Sequence, residues 1–299
     1  MNRPSGLPAT APFKELERRY SNGILPRGWI DGLTLSNDAT DAANDVAIAA
    51  GSAKSTVRIV DGEPSTLTRD QIDLDLPIAI IKQLDVAFAP ENYDPDGYPG
   101  TSDGSGRSGG RSSSALSNTT WHAALVGGRG MQPDIMLHDS VTQSSVLAEM
   151  QKVGGYTAYR RVGSVIRSSG ALLAFIQRDN DFIWNSPPLD ENVASGAGTA
   201  AVLVTLTVPA GIRVKAYFNG RIGDNVAYYS SPDSTDLAGS ITAAPLGTFG
   251  EAAGGTATSM GGSAAVWTNT SSQIRRRTIA DLESRIATIG YYDPRDRDS

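Results

Sequence analysis

The 299-residue chain has no cysteine and only two histidines, His122 and His138. Without thiols, disulfide frameworks, thiol nucleophiles and thiolate metal sites are excluded, and stability has to come from packing or assembly. Charged residues make up 19% of the chain, below the roughly 25% of an average globular protein. The formal net charge of −6 is scattered and offers no basic field to a phosphate backbone, so nucleic acid is not an expected partner. No stretch approaches the ~18 consecutive apolar residues of a membrane helix, and no membrane insertion is expected. The opening "MNRPSGLPATAPFKELERRY" has no apolar signal core, so the expectation is a protein made and kept in a reducing cytoplasm, or one that leaves by a route other than secretion, such as host lysis.

The motifs of common enzymes are missing as well. HExxH, GxSxG and GxxxxGK[ST] do not occur, so metal-assisted, nucleophilic and nucleotide-dependent catalysis have no motif support. No cofactor is expected. Each histidine sits inside a predicted strand without metal-ligand spacing, which favours a satisfied or exposed strand residue over a catalytic or ligating one.

What the chain does have is glycine, 32 residues of it, and a period of two. "DVAIAAG" puts Val46 and Ile48 on one face, and "DQIDLDL" sets Ile72, Leu74 and Leu76 opposite Asp73 and Asp75. In "IAIIKQLDVAFAP", Leu84, Val86 and Phe88 share a face before Pro90. "TTWHAALVGG" and "PDIMLHDS" continue the pattern, and "SVLAEMQKVGG" reads as a short turn of helix. In "YRRVGSVIRSSGALLAFIQRDNDFIW" (159–184), SSG and DND mark two reversals, and simple alternation sets Arg161 and Gly163 opposite Arg160 and Ser164. Pro209-Ala210-Gly211 is expected to turn a hairpin between two apolar strands. Residues 279–289 fit a helix as well as a strand, with strand favoured after Arg285.

These signals predict an all-β protein with two antiparallel, jelly-roll-like β-sandwich domains. The first spans 28–193 and the second 200–299. Residues 1–27 form an extended arm punctuated by Pro4, Pro8, Pro12 and Pro26, within which Phe13, Leu16, Arg18, Arg19 and Tyr20 are candidate anchoring residues. The stretch 91–114, rich in Gly, Ser, Pro and Asp, is expected to be a long exposed loop, with Tyr93, Tyr98, Arg107 and Arg111 as candidate contact residues for a surface ligand. A second Gly-rich loop is expected near 246–265.

Three further clusters admit chemistry. Asp38, Asp41 and Asp45 in "NDATDAAND" have the oxygen chemistry of a Ca²⁺ loop, but their spacing is not that of an EF-hand, and turn formation is the stronger reading. The four tryptophans, Trp29, Trp121, Trp184 and Trp267, lie near strand ends, where core packing is favoured over sugar stacking. The triplet Arg275, Arg276 and Arg277 fits a subunit salt bridge or an anion site equally well.

As a set, "GWIDGLTLSNDATDAANDVAIAAG" (28–51), "YTAYRRVGSVIRSSGALLAFIQRDNDFIW" (156–184), "LTVPAGIRVKA" (206–216) and "ATIGYYDPRDRDS" (287–299) resemble a group of tailed-bacteriophage virion proteins, the tail fibre and appendage components. The resemblance implies a non-enzymatic structural protein made in the host bacterial cytoplasm and resident in the virion. It implies other copies of the same chain as partners, in a homotrimer, together with phage tail, neck or head proteins and a host cell-surface glycan. A head decoration or collar fibre of the same fold remains an alternative. So does a carbohydrate-binding or carbohydrate-cleaving module, since paired carboxylates are defined by separation in space rather than in sequence.

Overall fold

The computed structural model describes residues 28–295, apart from 68–69, 90–91, 94–98, 101–106, 129–130, 154, 196, 224–225, 241, 251–259 and 281–282. The fold is all-β, with one α-helix, Gln143–Val153, among the described residues.

The largest sheet has ten strands. Its centre is the antiparallel trio Met131–His138, Thr120–Gly128 and Ala158–Ser168. On one side Arg107–Arg111, Ile80–Ala87, Asp45–Ile48 and Leu35–Asn37 extend it; on the other, Val57–Val60 and Glu63–Ser65 do, and the short strand Ala171–Leu172 also pairs with Ala158–Ser168. Two further sheets come from the second half of the chain. In one, Phe175–Arg178, Asp181–Trp184, Ser284–Tyr292, Lys215–Ile222 and Met260–Trp267 lie in that order, with Leu189–Val193 also pairing Ser284–Tyr292. The other runs Val202–Thr205, Gln273–Thr278, Val226–Ser230, Phe249–Gly250. A three-stranded sheet of Ile30–Gly32, Gly51–Lys54 and Asp73–Leu76 lies against the first.

Alternation worked where one face of a strand is wet. Leu74 and Leu76 are buried and Asp73 and Asp75 exposed; Val46 and Ile48 are both buried. The strands 120–128 and 158–168 are instead buried on both faces. One face meets the main core, where Trp121, Leu125, Val162 and Val165 join Phe182, Phe218 and Tyr291. The opposite face meets the helix through a second apolar cluster of Ala124, Val126, Met136, Val146, Leu147, Met150 and Tyr159. A bulge shifts the pairing between Ala123↔Gly163 and Ala124↔Arg161. Side-chain parity therefore flips within the strand, and Arg161 shares a face with Ser164, to which it donates at 3.3 Å, rather than facing away from it.

Several expectations need correction. The 91–114 stretch is not one long loop: Asn92–Tyr93 and Pro99–Gly100 form a small ladder, and Arg107–Arg111 is a strand parallel to both of its neighbours in an otherwise antiparallel sheet. Gly109 and Gly110 permit that insertion, because a Cβ on Gly109 would lie 1.8 Å from the Ala87 carbonyl oxygen. The segment 260–267 is likewise a strand rather than loop. Pro209–Gly211 turns no hairpin, since Val202–Thr205 and Lys215–Ile222 belong to different sheets. The reversal at 168–170 is a tight turn with Ser169 and Gly170 at positive φ, but after Ala171–Leu172 has paired back on 158–168 the chain leaves the large sheet, and 175–184 form the edge hairpin of the next one. Residues 284–292 are strand throughout.

The strand pairing also runs across the division expected at 193. Strands 175–178, 181–184 and 189–193 join the sheet built on 284–292, and one apolar cluster extends from Ile30 to Tyr291.

Candidate functional site

Both histidines of the chain face one cavity of about 210 Å³. His122 and His138 are directly opposite each other on adjacent strands, which places them side by side on the face that the helix covers. Ala124, Tyr159 and Arg161 from the same sheet, Thr56 from the bend before Val57–Val60, Ser140, Val141 and Val146 from the helix and its approach, and Ile212 complete the wall. Gly211, at φ +86, brings the 209–214 segment against it; a Cβ there would sit 3.2 Å from Val141 Cγ2 and 3.5 Å from His122 Nε2.

The polar groups behind the cavity are locked in a chain. Asp293 is fully buried and takes both Arg161 terminal nitrogens, Nη1 at 2.6 Å and Nη2 at 2.7 Å. Burial alone would raise the Asp293 carboxyl, but Arg161 and the Arg295 amide outweigh it and hold its pKa below the usual carboxylate value. Arg161 then reaches Ser164, whose Oγ lies 2.8 Å from His122 Nδ1. The His122 ring also hydrogen-bonds the Ala210 backbone. Burial, aided by Arg161, pushes His122 down to about 3. A serine–histidine pair resembles a nucleophile and its base, but this imidazole is far too weak a base at neutral pH, and the serine is only 1% exposed.

His138 differs. It accepts from the Ser140 amide at Nδ1, 2.8 Å, and burial lowers its pKa in spite of Asp139. The neutral ring therefore carries its proton on Nε2 as a donor. Thr56 Oγ1 is buried without a hydrogen-bond partner.

A neighbouring arginine ties Gly28 to Arg295. Arg160, on the opposite face and 1% exposed, donates through Nε to the Arg295 carbonyl at 3.1 Å and through Nη2 to the Gly28 carbonyl at 3.4 Å. The Arg295 guanidinium in turn reaches Asn180 at 3.0 Å.

Two of the residues singled out as surface contacts, Arg107 and Arg111, go elsewhere. Arg107 lies inside the large sheet and pairs with Asp38 and Asp45, so it is no loop contact. Arg111 is in the same strand, with Nε buried. Tyr93 belongs to the small ladder, while Tyr98 and the arm residues Phe13, Leu16, Arg18, Arg19 and Tyr20 lie outside the described residues. The carboxylates of 38–45 are engaged locally: Asp38 accepts the Thr40 and Asp41 amides at 2.8 and 3.2 Å, and Asp41 accepts the Ala43 amide at 3.2 Å. Among the described residues no three His, Asp or Glu side chains converge as a metal site.

The arginine triplet finds its partners within the chain. Arg276 meets Glu191 at 3.0 Å, Arg277 meets Asp236 at 2.8 Å, and Arg275 donates to carbonyls of 231–234. Trp121 and Trp184 are core residues, whereas Trp267 is 42% exposed, edge-on to Tyr292 at 6.3 Å.

Sequence reasoning missed Thr56, Ser164 and the Arg161–Asp293 pair. One signal was present: two arginines inside a strand otherwise dense in apolar residues need buried acceptors, and "YYDPRD" near the end supplies them.

Comparison with known proteins finds no matching family model, no matching curated protein and no matching solved structure.

Proposed function

We propose that the chain is a structural bacteriophage virion protein, a tail fibre or appendage subunit. It joins identical copies in a homotrimer, docks to the particle through residues 1–27 and contributes to recognition of the host surface. The observation that carries this reading is the edge strand Val202–Thr205. It pairs with Gln273–Thr278 on one side, and Val202 and Leu203 are 37% and 49% exposed. Leu189, on the strand just before it, is 56% exposed. Soluble monomers blunt such edges with charge, proline or a bulge; apolar side chains on an edge suit a surface that another copy covers.

The experiment uses the full chain. Sedimentation equilibrium is expected to give a trimer, and Leu203→Lys is expected to dissociate it while leaving the circular dichroism spectrum unchanged. Deletion of residues 1–27 is expected to leave a folded oligomer that no longer enters virions. A monomeric wild-type chain, or normal incorporation of the deleted form, would remove the reading. Locating the protein in particle images separates a tail appendage from a collar or head fibre.

A further inference from the structure

We propose that Lys82 and Asp134 condense in the folded protein, forming an intramolecular amide between Nζ and Cγ that staples the strands Ile80–Ala87 and Met131–His138 across the strand between them. This inference does not depend on the assembly role.

Position is the first support. Lys82 Nζ lies 2.8 Å from Asp134 Oδ1 and 2.9 Å from Oδ2, and the two side chains are 0% and 1% exposed. A nitrogen that close to both oxygens of one carboxylate is also within the near-attack range of its carbon, roughly 3–3.5 Å. The surrounding strands hold it there. Ser108 is the register partner of Lys82 and its Oγ accepts from Nζ at 2.5 Å, while the Ala89 carbonyl accepts at 3.4 Å. Gly110, on the intervening strand, leaves the lysine its path, because a Cβ there would stand 2.7 Å from Lys82 Cβ and 3.3 Å from Leu137 Cδ1.

Chemistry is the second. An ammonium and a carboxylate give an amide and one water, and the step balances with no oxidant, reductant or further reactant. One Nζ proton passes to Oδ2, the lone pair left on Nζ attacks Cγ, and negative charge gathers on Oδ1. The Ile135 amide donates to that oxygen at 2.6 Å and stabilises the tetrahedral intermediate. A second Nζ proton, relayed by the Ser108 hydroxyl, reaches Oδ2; the Cγ–Oδ2 bond breaks and Oδ2 departs as water.

Burial supplies the driving force. In bulk water the separated ions are favoured because both are hydrated, and that hydration is lost in the interior. The Phe88 ring, its centroid 5.1 Å from Nζ, adds an apolar side to the site. Fixed geometry replaces a bimolecular encounter, an advantage that reaches roughly 10⁵–10⁸ M in effective concentration for well-oriented groups. The amide closes a loop between residues 52 apart, a constraint on the unfolded chain that a protein without cysteine cannot obtain from a disulfide.

The test is intact-mass spectrometry of the full-length protein under denaturing conditions, followed by peptide mapping. The wild-type chain is expected to weigh one water molecule less than its sequence, and its digest to contain a branched peptide joining Lys82 to Asp134, with no tryptic cut after Lys82. Lys82→Arg keeps the positive charge but has no primary amine; it is expected to show the full sequence mass and to run more slowly than wild type in a denaturing gel, where an internally linked chain is more compact. The wild-type peptide map decides alone should Lys82→Arg not fold. Full sequence mass in the wild type, a missing water that maps to another residue such as a cyclised aspartate, or the same loss in Lys82→Arg would each overturn the proposal.

Discussion

At the scale of single residues, buried charge is the feature that most constrains this protein. Lys82 and Asp134 meet at 2.8 Å with 0% and 1% exposure, and Arg161 and Asp293 are nearly as buried. Such a pair adds little net stability against a well-packed apolar pair, but losing one partner strands the other charge in a low-dielectric interior. Asp293→Ala is therefore expected to cost about 3–5 kcal/mol, read as a fall in the urea midpoint. The same residue change is expected to leave the His122 ring neutral, since burial is the first cause of its depressed pKa. A second prediction concerns Arg107, which two carboxylates share. Burial, with the carboxylates of Asp41, Asp85 and Asp38, raises Asp45 to about 6 in spite of Arg107. For Asp38, burial is outweighed by the Thr40 and Asp41 amides and Arg107, and its pKa is lowered. The signs are opposite. An acid whose folded pKa is raised contributes stability below its unfolded pKa near 4, and that contribution is lost as pH rises through about 6. The Asp38 contribution is present above about 4 and disappears as pH falls through its lowered value. Urea midpoints at pH 4.5 and 7.5 are expected to show Asp45→Asn removing part of the loss at higher pH; an unchanged difference between the two pH values would contradict this.

At the scale of elements, close backbone approach decides which strands stay together. A Cβ on Gly290 would stand 2.1 Å from the Phe182 carbonyl oxygen and 2.9 Å from the Ile183 Cα, both backbone atoms of the paired strand. Neither can swing aside as a side chain would. Gly290→Ala is thus expected to force 181–184 away from 284–292 and to cost about 1–3 kcal/mol or more, measured by thermal melting. It should also disturb the stack of Phe182 on Tyr291, whose ring centroids lie 4.9 Å apart with planes within 2° of parallel, detectable in near-UV circular dichroism. The helix was legible as a short helical segment because "SVLAEMQKV" spaces Val146, Leu147 and Met150 toward one side, and those three residues are buried against the sheet. The strand 107–111 was not legible. "RSGGR" has no apolar period, and its place in the sheet follows from two glycines thin enough to fit beside Ala87 and Lys82, and from Arg107 meeting two carboxylates more than sixty residues upstream.

At the scale of the whole molecule, the central strand 284–292 comes last in the sequence yet joins strands from 175–193 and 215–222. A fragment ending at residue 193 is consequently expected not to form the native 175–193 edge. Its hydrogen-exchange protection should be lost in 175–193 while the full chain retains it; protection equal to that of the full chain would show that this region folds on its own. The tie between residues far apart in sequence points the same way, because Arg160 holds carbonyls of both Gly28 and Arg295.

Sequence by itself determined the class of the fold. Period-two burial in one-sided strands such as 73–76, abundant turn-forming glycine and the absence of cysteine are local properties, and local sterics and solvation translate them directly into half-buried strands. The cavity, the sheet membership of each strand and the partners of every buried charge were decided only by the tertiary structure. Strands buried on both faces lose the alternation that reveals which side is which, a single bulge at 161–163 reverses parity, and pairs such as Arg161 with Asp293 connect residues whose separation along the chain carries no signal of their contact in space.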